Sequence, residues 1–458
     1  MHKDRIKIIN SNQEDNEGQY ILYWMQQSMR MYYNHALEYA IHIANDKKLP
    51  LIVVFNIVLN YPDANLRHYH FMLEGLKNLQ SDFIKRNIEF IIKLGHVEDT
   101  LKPLIQNAHT LITDRAYLKP QLQMRNKIYE LCQRNNPKLN IYQIESDVLI
   151  PVESLYPKLA YAAYAIRPSV HKKFFEYIDF KYSNNLENIQ KLNFKSDVDI
   201  QNIDSIIQKL NIDLNVKPYF KFKGGYVEAI KHLNDFLDNL LPKYKDRSDA
   251  SLHIQSYVSM YLQFGQISVQ DILKKLFKHP NFHTYKEESE AFIEQLIVRR
   301  ELAYNFVTYN PNYDDFNHIT EKWAYITMNA HKEDLRDYIY TLEEIESAKT
   351  HDIYFNSAMK EAIITGFMAN YLRMYWAKKI MEWSSSMESA YEIIVYLNNK
   401  YFIDGRNPNS YSNIAWCFGR HDRPWQERSI FGTLRYMNEA GLKRKFDMET
   451  YVDYVNNL

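Results

Sequence analysis

Tryptophan, arginine and histidine crowd into one stretch near the C-terminal end, residues 414–438. It reads Ile-Ala-Trp-Cys-Phe-Gly-Arg-His-Asp-Arg-Pro-Trp-Gln-Glu-Arg-Ser-Ile-Phe-Gly-Thr-Leu-Arg-Tyr-Met-Asn. Flat aromatic rings beside guanidinium groups suit a surface that stacks a planar group while it holds an anionic backbone. Residues 420–445 contain seven basic and three acidic side chains, although the formal net charge of the chain is zero. The stretch predicts a local nucleic-acid-binding patch, in which His421 is more simply a packed, hydrogen-bonding residue than a general acid.

Two other segments place polar side chains at helical spacing. Ser256 and Ser259 lie three residues apart ahead of an apolar run. This pattern is typical of a helix N-terminus, whose free N–H groups suit phosphates, although a plain helix cap also explains it. Glu294 and Glu301 lie seven residues apart, so we expect both near one face of a helix. A solvated ion-pair face is the alternative explanation of that pair.

Trp376 and Trp383 are also seven residues apart. On a helix this spacing puts the two indoles on one face, about 10 Å apart along the axis. Two core aromatics would show the same spacing, so an electron-transfer role needs further support.

Composition and length limit the possible classes. With 458 residues, 46% apolar and 24% charged, the chain can form two or three domains of ordinary globular character. Cys132 and Cys417 stand far apart, which predicts neither a disulfide framework nor a zinc site and fits a reducing cytoplasm. No signal peptide, membrane-spanning run, Gly-x-Gly-x-x-Gly loop, Walker A loop or metal-ligand spacing is evident in the sequence. We therefore expect no metal, no membrane and no obligate protein partner, and a monomer.

Strand-like apolar runs alternate with helical patterns over the first third of the chain. Strands are predicted near 20–24, 51–55, 88–92, 110–113 and 139–144, and helices near 28–45, 68–86, 97–106 and 121–135. This alternation predicts a mostly parallel sheet covered on both faces.

The remaining two thirds read differently. Residues 181–223 lose strong periodicity and predict a connector with one helix near 203–210. Beyond Gly224-Gly225, helical patterns dominate, for example over 291–306, 335–348 and 357–383. We therefore expect an α/β domain over 1–180, a linker over 181–223 and an all-α domain over 224–458.

Taken together, these segments resemble the class II DNA photolyases. The resemblance covers most of the chain and rests on residues 414–438 and on Tyr23-Trp-Met-Gln26, Ala162-Ala-Tyr-Ala-Ile-Arg-Pro168, Ser256–Ser268, Asn370–Trp383 and Arg444-Lys-Phe-Asp447. It implies a Rossmann-like α/β domain of the antenna type and a larger all-α domain that binds FAD. The chain departs from the family pattern at Gln27, Met260, Gln263 and Gln295. The resemblance leaves open whether the α/β domain also binds a second, antenna chromophore, whose identity it does not specify.

The resemblance implies a set of FAD-binding residues. Arg373 and Asp404 match an ion pair beside the isoalloxazine ring, and Asn398 matches an asparagine that faces flavin N5. The other matched positions grip the pyrophosphate or lie near the cofactor: Tyr244, Ser256, Val258 and Ser259.

Other matched positions imply substrate contacts. Glu294 matches a glutamate that hydrogen-bonds the damaged pyrimidine, Met374 matches a residue of the substrate pocket, and Trp416 matches a tryptophan that packs against the flipped dimer. DNA contacts are implied for Arg423, Trp425, Arg435 and Arg444.

The resemblance also implies an electron path. Trp376 and Trp383 match tryptophans that pass electrons from the surface to the flavin, whereas Phe355 stands where a third tryptophan is usual. Because phenylalanine is much harder to oxidise, we hypothesise that Phe355 weakens or reroutes photoreduction without affecting repair by reduced flavin.

The implied activity is light-driven repair of cyclobutane pyrimidine dimers in DNA by electron transfer from reduced FAD. Such an enzyme would be cytoplasmic, and associated with the nucleoid in a bacterium or archaeon. A cryptochrome-like flavin photosensor without repair is the alternative, which the changes at 260, 263, 295 and 355 keep open. A flavin-free DNA-binding remnant is a third possibility.

Overall fold

A single sheet organises the N-terminal part of the computed structural model, which describes residues 1–11, 17–183 and 185–458. Within those residues its strands are β1 (Ile6–Asn10), β2 (Tyr20–Met25), β3 (Leu51–Ile57), β4 (Glu89–Leu94), β5 (Ala108–Asp114) and β6 (Asn140–Ile144). The order across the sheet is β1-β6-β5-β2-β3-β4. All neighbours are parallel except β1, which pairs antiparallel with β6.

Four helices cover the two faces of this sheet: α1 (His35–Lys47), α2 (Leu66–Lys85), α3 (Val97–Ile105) and α4 (Lys119–Asn135). α1 and α2 share one apolar cluster with the sheet, and α3 and α4 share the other. Every residue of β2 and β3 is buried, as expected for parallel strands covered on both faces. The predicted parallel sheet is confirmed. β1 was not predicted, because a partly exposed edge strand has no continuous apolar run.

Helices make up most of the remaining described chain. They are α5 (Val152–Leu155), α6 (Ala163–Ile178), α7 (Ile203–Ile207), α8 (Tyr226–Asp235), α9 (Val258–Gln263), α10 (Val269–Lys278), α11 (Asn281–Thr284), α12 (Lys286–Ile293), α13 (Arg300–Tyr309), α14 (Lys322–Ala330), α15 (Leu342–Glu346), α16 (Ile353–Thr365), α17 (Asn370–Trp383), α18 (Met387–Tyr401), α19 (Pro408–Cys417), α20 (Glu439–Lys445) and α21 (Met448–Asn456). Phe236–Leu240 and Glu294–Arg299 are π-helical turns, and Lys3–Arg5, Leu241–Asp246, Ala250–Leu252 and Phe316–His318 are 3₁₀ turns. Among the described residues, no helix has the length and apolar character needed to cross a membrane.

Two of the predicted helices differ in the structure. Over 335–348 only α15 is helical, and Leu335 is 94% exposed, so the apolar spacing there does not reflect a buried face. The predicted helix 357–383 is broken into α16 and α17. The break falls at Gly366, whose φ of 77° is left-handed and whose added Cβ would meet Ile403.

The first turn of α2 joins the sheet to this break. Arg67, 2% exposed, donates to the carbonyls of residues 362, 363 and 364 at the end of α16 and of Tyr401 at the end of α18, at 2.5–3.1 Å. Asn65 and His68 donate to the next carbonyls, Lys400 at 2.7 Å and Phe402 at 3.1 Å. A helix end leaves its last carbonyls without partners inside the helix, so these side chains satisfy groups that burial would otherwise orphan.

Arg67→Met should therefore destabilise the protein strongly. Because several buried carbonyls lose their partner at once, we expect a loss of about 3–5 kcal/mol in the free energy of unfolding. Urea denaturation would measure it, with Arg134→Met on the exposed face of α4 as a control that should change by less than about 0.5 kcal/mol. A loss below about 1 kcal/mol for Arg67→Met would show that the contact is not an anchor.

Candidate active site

A cavity of about 350 Å³ lies among the helices of the C-terminal half, in the size range of ligand pockets. Its wall comes chiefly from α9, the start of α13, α17, α18 and α19. The seven residues predicted to hold the cofactor all line it: Tyr244, Ser256, Val258, Ser259, Arg373, Asn398 and Asp404. Met374 and Trp376 lie in the same wall. Segments between residues 244 and 417 are thus brought to one place.

Arg373 and Asp404 form a bidentate ion pair in this wall. Nη1 lies 2.9 Å from Oδ1, and Nη2 lies 3.3 Å from Oδ2. The Ser259 hydroxyl donates to the same carboxylate at 2.7 Å. Since Asp404 is only 8% exposed, the pairing avoids an uncompensated buried charge and fixes the position of the guanidinium.

The wall carries a surplus of positive charge. Arg247, Arg300 and Arg373 line it, and among the described residues Asp404 is its one acidic member. Guanidinium groups in a partly dry cavity favour an anionic ligand. The sequence did not point to Arg247 or Arg300, because an arginine in a helical pattern usually faces solvent; Arg300 is buried instead.

Asn398 presents a neutral amide whose orientation is fixed. Its Nδ2 donates to Oδ1 of Asn399 at 3.1 Å, and Asn399 in turn donates to Asp63 at 3.0 Å. Asn398 is buried yet lines the cavity. A planar ligand could therefore hydrogen-bond this amide without meeting a new charge.

Glu294 does not line the cavity, contrary to the substrate contact expected for it. It pairs with Arg167 at 2.8 Å and with Arg299 at 3.3 Å, and its neighbour Gln295 lines the cavity instead. The π-helical turn Glu294–Arg299 changes the number of residues per turn, so seven-residue spacing no longer keeps side chains on one face.

Glu301, the other member of that predicted pair, is a structural residue. It is 1% exposed and accepts the N–H groups of Leu149 and Ile150. Burial raises its pKa to about 8. It joins α13 to the segment that follows the sheet.

The two tryptophans of α17 have different surroundings. Trp376 lines the cavity and its Nε1 donates to the Met359 sulfur at 3.3 Å. Trp383, at the end of the helix, lies outside the lining and meets the ring of Phe355 at a centroid distance of 5.1 Å. The helix thus leads away from the cavity, with Phe355 beside its far end.

An aromatic–guanidinium stack adjoins α19. The Arg435 guanidinium lies 5.0 Å from the ring centroid of Trp416 and 4.1 Å from that of Trp425, and Arg423 lies 5.5 Å from Trp425. Asp422 accepts from Arg435 at 2.9 Å, and its pKa is lowered although partial burial opposes the shift. Trp425 is 39% exposed, so a flat cationic surface faces solvent here.

Not every residue counted in the basic stretch belongs to this surface. Arg420 is buried, where it pairs with Glu321 and donates to the Ala160 carbonyl. Burial lowers the pKa of His421 to about 3, so the ring is neutral, and it bonds the Tyr161 carbonyl. This fits the packed histidine predicted from the sequence. Arg444 is exposed on α20.

Unpartnered polar groups collect near the carboxyl ends of β2 and β5, where the strand order reverses. At this place the Asp114 carboxylate accepts the N–H groups of residues 26–28 at 2.8–3.1 Å. All three nitrogens of the buried Arg125 lack a hydrogen-bond partner among the described residues, as do Nε and Nη2 of Arg406 and Oε1 of Gln26. Buried groups of this kind are normally satisfied by a ligand or water. No motif or spacing in the sequence had indicated them.

Comparison with known proteins shows the family of this chain. The family model for DNA photolyase matches residues 21–178. The deoxyribodipyrimidine photo-lyase of Methanothermobacter thermautotrophicus is 38% identical over 459 residues, covering 100% of this chain and 99% of that protein. The chain therefore belongs to the DNA photolyase family of enzymes.

Solved structures agree on the fold. A class III photolyase from Agrobacterium tumefaciens is similar with a TM-score of 0.75 at 18% identity, covering 97% of this chain and 88% of that one. The Sulfolobus tokodaii photolyase, described with two FAD molecules, gives 0.68 at 16% identity over 95% of this chain and 89% of that one.

His331 fastens the loop that carries Trp425. Its Nδ1 lies 2.7 Å from Asp334 and its Nε2 lies 2.9 Å from Glu427. Asp334 also accepts the N–H of Ile430 at 2.7 Å. Both carboxylates raise the pKa of His331.

The hold on this loop should weaken as pH rises. A histidine with a raised pKa stabilises the fold fully below its unfolded pKa of about 6.5 and loses that contribution as pH passes through the folded value. Hydrogen exchange of residues 425–433 should therefore become faster, relative to the intrinsic rates, as the pH rises above about 6.5 in the wild type. His331→Gln should flatten this change. An equal pH response in both proteins would contradict the role.

Proposed function

We propose that this enzyme uses light to split cyclobutane pyrimidine dimers in DNA, with reduced FAD in the cavity. The carrying observation is the convergence of the seven predicted cofactor residues on one cavity. Helix α19 links that cavity to the cationic surface, because it contributes Ile414 and Cys417 to the wall and Trp416 to the stack with Arg435.

The residues present fit FAD. The surplus of arginine in the wall suits a pyrophosphate, and Ser256 at the start of α9 adds a hydroxyl. Arg373 and Asp404 present a charged but internally neutralised pair to a ring system, and Asn398 presents its amide. Bound and reduced, FAD would supply an electron to the dimer on excitation by light and take it back after the ring has split.

The DNA surface would hold the strand around the lesion. Arg423 and Arg435 supply positive charge for phosphates, and the partly exposed Trp425 offers a stacking face. A dimer distorts base pairing, which lowers the cost of turning it out of the helix toward the cavity. Met374 and Gln295 line the cavity that would receive it.

Illumination of a dimer-containing oligonucleotide with chemically reduced protein tests the proposal directly. Restored pyrimidine monomers, absent in the dark, are the expected result. Retention of all dimers by a flavin-loaded protein would favour the photosensor. A purified protein that binds no flavin would contradict both functions and favour a flavin-free DNA-binding protein.

Asn398→Ala should keep FAD bound but impair its photoreduction. The amide contributes one hydrogen bond, so the reduced cofactor should lose about 1 kcal/mol of stabilisation, roughly a fivefold shift in the equilibrium. Spectroscopic titration of the bound flavin measures it, and the flavin-to-protein ratio serves as the control. Unchanged photoreduction in Asn398→Ala would contradict the role proposed for the Asn398 amide.

Arg423→Ala should weaken DNA binding without changing its sequence preference. Loss of one phosphate contact lowers the salt dependence of log K by about 1. Binding to a dimer-containing duplex at several salt concentrations measures the slope. Arg134→Ala, on an exposed helix of the sheet domain, should leave it unchanged.

Phe355→Trp should speed photoreduction of oxidised flavin, because an oxidisable ring would then adjoin Trp383. Phe355 is fully buried, so the larger ring will cost about 1–3 kcal/mol of stability. The thermal melting curve of the variant should therefore be measured together with its photoreduction rate. Phe431→Trp, at another buried site, controls for this cost. An unchanged photoreduction rate in a folded variant would contradict the hypothesis that Phe355 weakens photoreduction.

We further propose a second chromophore between the sheet and the helical half. The support is the set of unpartnered guanidinium groups of Arg125 and Arg406, which would suit an acceptor-rich, anionic ligand. Arg125→Leu should lose any second absorbing component and keep the flavin. A wild-type spectrum containing flavin alone after reconstitution with candidate chromophores would contradict the proposal.

A further inference from the structure

The connection between β3 and α2 reaches across to the last turn of α18. The Asp63 carboxylate accepts the side-chain N–H of Asn399 at 3.0 Å. Two residues further on, Asn65 donates to the carbonyl of Lys400 at 2.7 Å. Asp63 has a left-handed φ of 57°, which aspartate tolerates better than most residues do. A residue of the sheet domain is thus held against the turn of α18 that carries Asn398.

The Asn399 amide lies between a group that only accepts hydrogen bonds and a group that only donates them. The ionised carboxylate of Asp63 is the acceptor, and the backbone N–H of Arg406, 3.2 Å from Oδ1 of Asn399, is the donor. Because Asn399 is only 2% exposed, turning its amide over would leave unsatisfied polar groups on both sides. Its Nδ2 therefore faces Asp63, and its Oδ1 faces Arg406 and Asn398.

This direction is passed on to the amide of Asn398. Its Nδ2 donates to Oδ1 of Asn399 at 3.1 Å, so the amide is held through its nitrogen. Within residues 1–11, 17–183 and 185–458, no group donates to the amide oxygen of Asn398. Asn398 lines the cavity although it is buried. The wall thus offers a ligand a neutral hydrogen-bond acceptor whose orientation is set from outside the cavity.

We propose that Asp63 is a positioning residue for the cofactor, because it keeps the oxygen of the Asn398 amide available to an N–H group of the bound flavin. The inference rests on the proposed flavin function and deepens it. A reduced flavin ring carries a proton on a nitrogen that is unprotonated in the oxidised ring, so an acceptor at this place favours the reduced cofactor. The sheet domain therefore acts on the cavity through the chain Asp63–Asn399–Asn398, although Asp63 does not line the cavity.

The chain transmits the order of donors and acceptors and not the charge of Asp63. Asp63 is exposed, so water and salt screen its carboxylate from the cavity. Asn399 and Asn398 are neutral amides, and each can present either its oxygen or its nitrogen to a neighbour. An asparagine at position 63 would still offer an oxygen to Asn399 and should act nearly as well. A residue without a side-chain acceptor should not.

Redox titration of the flavin-loaded protein in the dark, against a dye of known potential, tests the inference. Asp63→Gly removes the acceptor and suits the left-handed φ. It should shift the equilibrium toward the oxidised cofactor by about two- to fivefold, which is the effect of at most one hydrogen bond. Asp63→Asn, which removes the charge but keeps an acceptor oxygen, should restore most of the wild-type ratio. Asp46→Ala, which removes another exposed carboxylate of the sheet domain, is the matched control and should leave the ratio unchanged.

A double-mutant comparison shows whether Asp63 acts through Asn398. In the Asn398→Ala background, which has no amide to orient, Asp63→Gly should cause no further shift. An equal shift in both backgrounds, an unchanged ratio in Asp63→Gly, or an equal loss in Asp63→Asn would overturn the inference. Melting curves and flavin-to-protein ratios accompany each titration. An Asp63→Gly protein that does not fold or does not hold flavin would show an architectural role for Asp63, which also overturns the inference.

The outcome for the proposed function is measured separately. Dimer repair is assayed with protein that has been reduced chemically, so failure to repair by a protein with the expected redox ratios would count against repair and not against the role of Asp63. Repair together with a redox ratio that does not depend on Asp63 would overturn this inference alone. A wild-type protein that binds no flavin would overturn both.

Discussion

The buried guanidinium of Arg67 connects a helix of the sheet layer to two helix ends in the helical half. Arg67 extends from the first turn of α2 and supplies donors to carbonyls at the ends of both α16 and α18. Burial lowers its pKa to about 10, so it remains charged at neutral pH. The helix ends that it fixes lead directly to Arg373 and to Asp404, which form the ion pair in the cavity wall. The geometry of the site therefore depends on a residue that does not touch it.

At the carboxyl ends of β2 and β5 the backbone N–H groups are not available to hold a phosphate. In an open parallel sheet, ligands usually bind outside the carboxyl ends of the strands, where the strand order reverses. Here the Asp114 carboxylate occupies the N–H groups of residues 26–28, so they cannot bind a phosphate. The cavity with the predicted cofactor residues lies instead in the helical half, where three arginines line the wall and no glycine-rich loop is needed.

Charge is arranged locally in a chain whose formal net charge is zero. The cavity wall is positive inside, and the stack of Arg435 and Arg423 with Trp425 is positive outside. Each of the two surfaces contains one carboxylate that anchors an arginine, Asp404 and Asp422 respectively. These ion pairs set the position of a guanidinium plane, which matters more to planar ligands than the total charge does.

The alternation of strands and helices follows from the amino-acid pattern, because buried parallel strands such as β2 and β3 are continuous apolar runs. The resemblance to the photolyases also pointed to seven of the residues that line the cavity. Which neighbouring side chains reach the site depends on the packing of distant segments. A π-helical turn places Gln295 rather than Glu294 in the wall, burial removes Arg420 from the basic surface, and the connection after β3 brings Asp63 to Asn399. Side-chain direction, burial and contacts between distant segments depend on packing, which residue spacing along one segment does not encode.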